Sequence, residues 1–257
     1  MQLVNHIPYC GAPPVPGGAT WNLDPVLLAV LILGAALYAA GARRAGLERR
    51  QIWAFAAGWG LLSLALVSPL CNLSVALFTA RILQHMLIVL VAAPLLVLGG
   101  VDTMLWRLWN GARTPGGMET AIAAGAFAAA IWLWHTPAAY DATFRSDVIY
   151  WTMHVTMAAS ALALWHVVLR AELGHMLVAS ILTGIQMSGI GAILTLAPEP
   201  LYAAHLTTTW PWGLSPLTDQ NLGGVIMWVP GGLLLSVIVL VSVARHLQRL
   251  DAAGEAL

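Results

Sequence analysis

The sequence predicts an all-α membrane protein, a seven-transmembrane-helix bundle with its N-terminus outside the cell and its C-terminus in the cytoplasm. Three observations predict it. The 257 residues are 60% hydrophobic and only 9% charged, where a soluble domain carries roughly a quarter charged residues, and the mean hydropathy is +0.81. Seven apolar segments can be counted, most of them near the ~20 residues a helix needs to cross a ~30 Å hydrocarbon core. The arginines gather in alternate connections, the pattern of the positive-inside rule. A net charge of zero argues against a nucleic-acid partner; the partner implied throughout is the lipid bilayer.

Residues 1–24 are rich in Pro and Gly and lack the basic start and apolar run of a cleavable signal peptide. They are expected to form an extracytoplasmic arm, either an ordered cap or a loose one. A transmembrane domain follows over residues 25–246, and a cytoplasmic tail over 247–257. Its first segment, Pro25–Ala42, opens on a proline, whose missing N–H costs nothing at a helix start. The others are Ile52–Val67, Leu77–Gly99, Glu119–His135, Val148–Leu169, His175–Leu196 and Asn221–Ala244. In the last, Pro230-Gly231-Gly232 is expected to interrupt the helix near mid-membrane. Arg43, Arg44, Arg49, Arg50, Arg107, Arg113, Arg170, Arg245 and Arg249 all fall on one side of a seven-span plan, and only Arg81 and Arg145 on the other. Six or eight spans would scramble that pattern. Most tryptophans fit interfacial belts: Trp21, Trp132, Trp134, Trp210, Trp212 and Trp228 outside, Trp53, Trp106 and Trp109 inside.

The third segment is chemically divided. Its first half carries Arg81, Gln84 and His85, and the rest is almost purely apolar. Ionisable groups within a span are costly and point to a functional or pairing role inside the bundle. Arg81 and His85 share a helix face. On the plan above His85 lies ~12 Å and His154 ~9 Å below the outer boundary, and His135 ends the fourth segment at similar height. Imidazole suits Cu, Zn and Fe, and thioether sulfur selects Cu(I). His85, His154 and His135 are therefore candidate metal ligands, with Met157 and Met227 as adjustable soft ligands and His6, His205, Met86 and Met153 nearby. The plainer reading is that each histidine bonds a neighbour and each methionine packs the bundle. His166, His175 and His246 fall near cytoplasmic helix ends, where interfacial snorkelling accounts for them.

Arg81 needs a counter-charge, and among the outer acids Asp141, Asp147, Glu199 and Asp219 the last is the expected partner in a structural ion pair, since it begins segment seven. Cys10 and Cys71 both fall outside, where a disulfide, a pair of Cu(I) thiolates or two unrelated small residues are all open. No phosphate-binding glycine loop, nucleophile elbow, His-Glu-x-x-His or Cys-x-x-Cys occurs, so no enzyme chemistry is read here.

Several motifs together resemble one family. Phe78-Thr79-Ala80 and Gln84-His85-Met86-Leu87, followed by Ala92-Ala93-Pro94-Leu95-Leu96 and Leu98-Gly99, are similar to the signature of the caa-type cytochrome oxidase assembly factor (CtaG) family of bacterial membrane proteins. Ser68-Pro69-Leu70, Trp134-His135 with Pro137 and Tyr140, His154 with Trp165, and Ser215-Pro216-Leu217 with Asp219-Gln220, Gly223-Gly224 and Met227-Trp228 extend the likeness from Ser68 to Pro230. The resemblance implies a multi-pass protein of the bacterial inner membrane. It implies a part in assembling a haem–copper oxidase, with an oxidase subunit or its copper chaperones as partners and Cu(I) handled at the outer face. Where a second histidine is expected four residues before His85, this chain has Arg81, and arginine cannot ligate a metal. Two other functions remain: a haem-binding redox protein with His85 and His154 as axial ligands, and a metal-free assembly scaffold.

Overall fold

The computed structural model describes residues 6–107 and 114–254. Trp109 and Arg113 lie outside the described residues, as do the side chains of Trp106, Arg107 and Arg249. Among the described residues the chain is helical with no strand. Seven helices are long and apolar enough to cross a membrane, which makes this a multi-pass membrane protein. They are α1 (Pro25–Ala45), α2 (Arg49–Val67), α4 (Phe78–Leu98), α6 (Gly117–His135), α8 (Asp147–Arg170), α9 (Leu173–Leu196) and α10 (Pro216–Gly254). Three short helices lie between them: α3 (Pro69–Ala76), α5 (Val101–Arg107) and α7 (Pro137–Ala142).

The starts are chemically marked. The Asp24 carboxylate accepts from the Leu27 N–H at 2.7 Å, with Pro25 at the first helical position. Ser68 and Pro69 repeat that arrangement for α3, where the Ser68 hydroxyl accepts from the Leu70 N–H. α1 ends on Gly46 in the left-handed region at φ 62°, which glycine adopts without a Cβ penalty.

α4 is the central helix, buried along most of its length, whereas α1 and α2 are largely exposed. It lies against α10 on one side and against α2 and α8 on others. α9 and α10 pack along each other closely, and small residues permit it: a Cβ on Gly224 would come within 2.4 Å of the Thr195 Oγ1 on α9, while on the α4 side one on Gly223 would come within 2.4 Å of the Phe78 ring. The expected interruption at Pro230 does not occur, because α10 runs unbroken from Pro216 to Gly254 with Pro230 inside it. Proline costs the helix one hydrogen bond. In an apolar surrounding no water competes for the remaining ones, so the helix survives. Gly231 meanwhile seats against Met187, whose Cε would stand 2.7 Å from an added Cβ.

A feature absent from the expectations sits in the middle of α4. Residues Leu87–Ala92 form a π-turn, and the Ala93 N–H reaches Ile88 O, five residues back. In that register the Val89 carbonyl would take its bond from residue 94, which is Pro94 and has no N–H. The Trp165 indole N–H supplies it instead, at 2.7 Å across from α8. Trp165 is 2% exposed, so this one bond ties the two helices that carry His85 and His154.

One end of the bundle carries the arm, α3, α7 and the loop of residues 198–215. The other carries Arg43, Arg44, Arg49, Arg50, Arg170 and Arg245. The described part of the arm, residues 6–24, is an ordered cap. Cys10 and Cys71 form a disulfide with a Cα separation of 5.5 Å, within the range such bonds require. The Asn72 amide donates to Cys10 O and Ala12 O at 2.8 and 2.9 Å, and Trp212 donates to Pro14 O at 3.0 Å. The two cysteines are thus a covalent staple, with no thiolate free for a metal.

Candidate functional site

The polar half of α4 faces α8 just beneath the arm. His85 projects from α4 and His154 from α8, and their rings meet edge to face with centroids 5.3 Å apart. Both are 6% exposed. The Nε2 of each is buried without a hydrogen-bond partner, an arrangement that costs free energy unless something else takes up those nitrogens. The tautomer of His154 is set locally: its Nδ1 donates to the Tyr150 carbonyl one turn back at 3.1 Å. The Nε2 therefore carries the lone pair, the state in which imidazole ligates a metal. Met157 lies one turn beyond His154 on the same face and is buried in the same core as Met227, Met86 and Met153.

His135 has the same local pattern, with Nδ1 donating to Ile131 O at 2.7 Å, and it lies within electrostatic reach of His85. It does not complete a three-residue cluster: among the described residues no three His, Cys, Asp or Glu side chains gather closely enough to hold an ion. The structure thus brings together His85 and His154, leaves His135 at the edge, and places Met157 and Met227 in the surrounding core.

Arg81 and Asp219 do not form the expected ion pair. The Leu77 residue that precedes α4 offers no side-chain cap, and Asp219 supplies one from α10: its carboxylate accepts from the Phe78 N–H at 2.6 Å and the Thr79 N–H at 3.1 Å, while Thr79 Oγ1 donates to Asp219 O. A carboxylate at a helix N-terminus satisfies orphan amides and the helix dipole together, so Asp219 is committed there. Arg81, 1% exposed, donates instead to the Thr143 hydroxyl. Its guanidinium stands 4.4 Å from the Phe144 ring centre and 5.5 Å from those of Tyr140 and Tyr150, which is cation–π range. Its Nε has no partner. A full positive charge is therefore held beside the histidine pair with no carboxylate against it among the described residues. The Tyr150 ring links the two groups, since its centroid is also 4.2 Å from that of His154.

Above the pair, Tyr140 and His205 tie α7 to the 198–215 loop. Burial pushes the Tyr140 phenol well above its usual range and holds His205 down at about 3, with the nearby Arg81 charge adding to the latter. The phenol therefore stays protonated and donates to the His205 Nε2 at 2.7 Å. Folding keeps His205 neutral while the unfolded chain takes up its proton near 6.5, so this contribution is complete above pH 6.5 and is lost as pH falls toward 3. The thermal midpoint of the wild type over His205→Gln should shrink between pH 7.5 and 4.5; a difference that stays constant with pH would show that His205 titrates alike in both states.

The arginine-bearing end holds a cluster that differs from the expectation for His166. His166 does not snorkel to the interface: it is 7% exposed, and its Nδ1 lies 2.8 Å from the Asp102 carboxylate, which Arg170 also engages at 3.1 Å. Burial pushes the Asp102 carboxyl up, but the bonds from His166 and Arg170 and the Arg170 charge outweigh it and hold the group below its usual value. A lone Asp in a connection gave no signal that its partners lay on α8.

The model of one protein family, described as the cytochrome c oxidase caa3 assembly factor, matches residues 36–249. That span takes in the second half of α1 and all the later transmembrane helices up to the last turn of α10, and it contains the His85–His154 pair, Arg81 and Asp219. No curated protein and no solved structure matches the chain. The chain belongs to the cytochrome c oxidase caa3 assembly factor family.

Proposed function

We propose that this assembly factor carries Cu(I) as cargo for a haem–copper oxidase of the bacterial inner membrane, holding it between His85 and His154 with the arm-bearing end facing outward. The observation that carries the reading is the pair of buried, unpartnered Nε2 atoms on two imidazoles 5.3 Å apart. Two neutral nitrogens with a methionine one turn away make a soft, low-charge donor set, suited to Cu(I) rather than to hard divalent ions. Met157 is better placed than Met227 for that third position, because it shares the His154 face. The Tyr150 carbonyl keeps His154 in the ligating tautomer, and the Trp165–Val89 bond holds α8 against α4 so that the rings stay in register. Arg81 works against tight binding. A fixed cation beside the pair repels an arriving ion, which suits a site that must release what it takes, to an oxidase subunit or from a copper chaperone. The ion enters and leaves as Cu(I), so no electron is exchanged. The outward orientation rests on the arginine distribution.

Haem is the weaker fit. Axial ligands must stand on opposite faces of a planar macrocycle, whereas these rings touch edge to face with Tyr150 packed on one of them.

The test is the metal and haem content of protein purified from copper-supplemented cells, beside the His85→Ala/His154→Ala variant. The wild type should hold about one copper per chain at such a two-imidazole site, and the variant essentially none. Copper retained by the variant would move the site elsewhere. A copper-free, colourless wild type would leave a metal-free scaffold, and a Soret band would restore haem.

A further inference from the structure

The geometry points to a second binding site, in the opposite leaflet: we propose that a groove between α1, α2, α4 and α8 holds one phospholipid with an anionic headgroup, its phosphate on Arg44 and an acyl chain in the groove. The groove has a volume of about 670 Å³ and is walled by apolar side chains including Tyr38, Trp59, Ile88 and Leu162, with Arg44 at its end. That volume lies within the ~300–1,000 Å³ of small-ligand sites. It is independent of the histidine pair and of any copper.

Its length decides between occupants. From Gly34 to Arg44 the α1 wall climbs ~15 Å at ~1.5 Å per residue, which is half of a ~30 Å hydrocarbon core. A transmembrane helix of a partner would need a seam running the full thickness. A lipid chain needs one leaflet, with a headgroup at the interface, and the groove stops where the arginines begin. The groove is also open to that leaflet, because Leu37 on its rim is 63% exposed and α1 presents Val30, Ile32 and Leu33 outward.

Charge selects the headgroup. Arg44 is exposed, and no carboxylate lies within ion-pair distance of it or of Arg43 among the described residues; the Glu48 carboxylate is taken by Arg50 at 2.7 Å. Arg43 lines a second groove of about 710 Å³ on the other side of the α1–α2 pair, so two adjacent unpaired guanidinium groups stand over apolar space. Basic groups at the cytoplasmic ends of helices attract anionic lipids in this way. An occupied groove also explains how α1 stays in place: its own protein contacts are sparse, and a chain filling the space beside it completes the packing.

The experiment titrates the detergent-purified full chain with phosphatidylglycerol or phosphatidylcholine of matched chains and reads the thermal midpoint and the lipid retained in native mass spectrometry. Phosphatidylglycerol should raise the midpoint by several degrees, as a ligand of the folded state does, and remain bound at one per chain; phosphatidylcholine should do neither. Arg44→Gln should reduce the phosphatidylglycerol shift to the phosphatidylcholine level. Ala158→Phe, which fills the groove from α8, should abolish retention while leaving the lipid-free midpoint within a few degrees. Equal effects of the two lipids, or retention indifferent to both variants, would overturn the proposal. So would a photo-crosslinker at Leu37 that captures an oxidase subunit and no lipid in intact membranes. None of these readouts depends on copper, so loss of the copper reading leaves this one standing.

Discussion

Asp219→Ala is expected to be the most damaging single substitution for the fold. The side chain is fully buried, and two backbone N–H groups at the head of the central helix depend on it. Losing an N-cap costs ~1 kcal/mol, and stranding buried donors from a charged acceptor adds ~1–3 kcal/mol. A loss of about 2–4 kcal/mol is a large part of the ~5–15 kcal/mol that holds most folded chains. The expected result is a sharply lowered level in the membrane and a thermal midpoint several degrees down in detergent. Asp219→Asn keeps one acceptor but turns an amide N–H toward a backbone N–H, so it should fall between the two. The site should suffer with the fold, because Arg81 and His85 occupy the first turns after the cap. If Asp219→Ala matches the wild type in level and midpoint, the trans cap is not what fixes the start of α4.

How much of this was legible beforehand differs by kind of residue. The seven spans were legible because a hydrocarbon solvent demands long apolar runs, and every expected segment has its helix. The pairing of His85 with His154 was half legible: each is an ionisable group inside an apolar run, and the arginine pattern put both at one height. Their contact was not, since helix neighbours are set by packing. Asp219 was misread for the same reason. Arg81 offered an obvious counter-charge, but the stronger demand came from the bare amides of Phe78 and Thr79, and a cap contributed from 141 residues away leaves no local signature. Cys10 and Cys71 were undecidable because a disulfide depends on a Cα separation. Pro230 misled because a rule learned from helices in water overstates what proline does inside a bilayer. The π-turn, in contrast, had a trace in the sequence. Pro94 removes a donor inside a span, and Trp165 was the buried indole available to replace it.

On the proposed copper site, Arg81→Met is expected to tighten binding of the ion and leave the protein folded. Arginine here brings a positive charge that no carboxylate offsets among the described residues, while three ring faces and one hydroxyl support it. At a separation of ~8 Å and an effective dielectric of ~20, two unit charges repel by roughly 2 kcal/mol, which corresponds to a change of about 30-fold in affinity. Methionine keeps the apolar stem and removes the charge. Replacing a buried charge by a packed apolar side chain is often neutral or stabilising, and the Thr143 hydroxyl keeps its bond to Tyr140 O at 2.7 Å. Competition with a Cu(I) chelator should therefore show tighter retention in Arg81→Met, near-wild-type retention in Arg81→Lys, and no loss of thermal midpoint in either. Tighter retention should slow release, so oxidase assembled per cell should fall in Arg81→Met even though more copper stays on the factor. That opposition between binding and delivery is the signature of a transfer site. If Arg81→Met binds copper as the wild type does, the guanidinium is screened from the histidine pair and serves only to pack α4 against α7 and α8. If the variant binds less, Arg81 positions the pair rather than opposing its cargo.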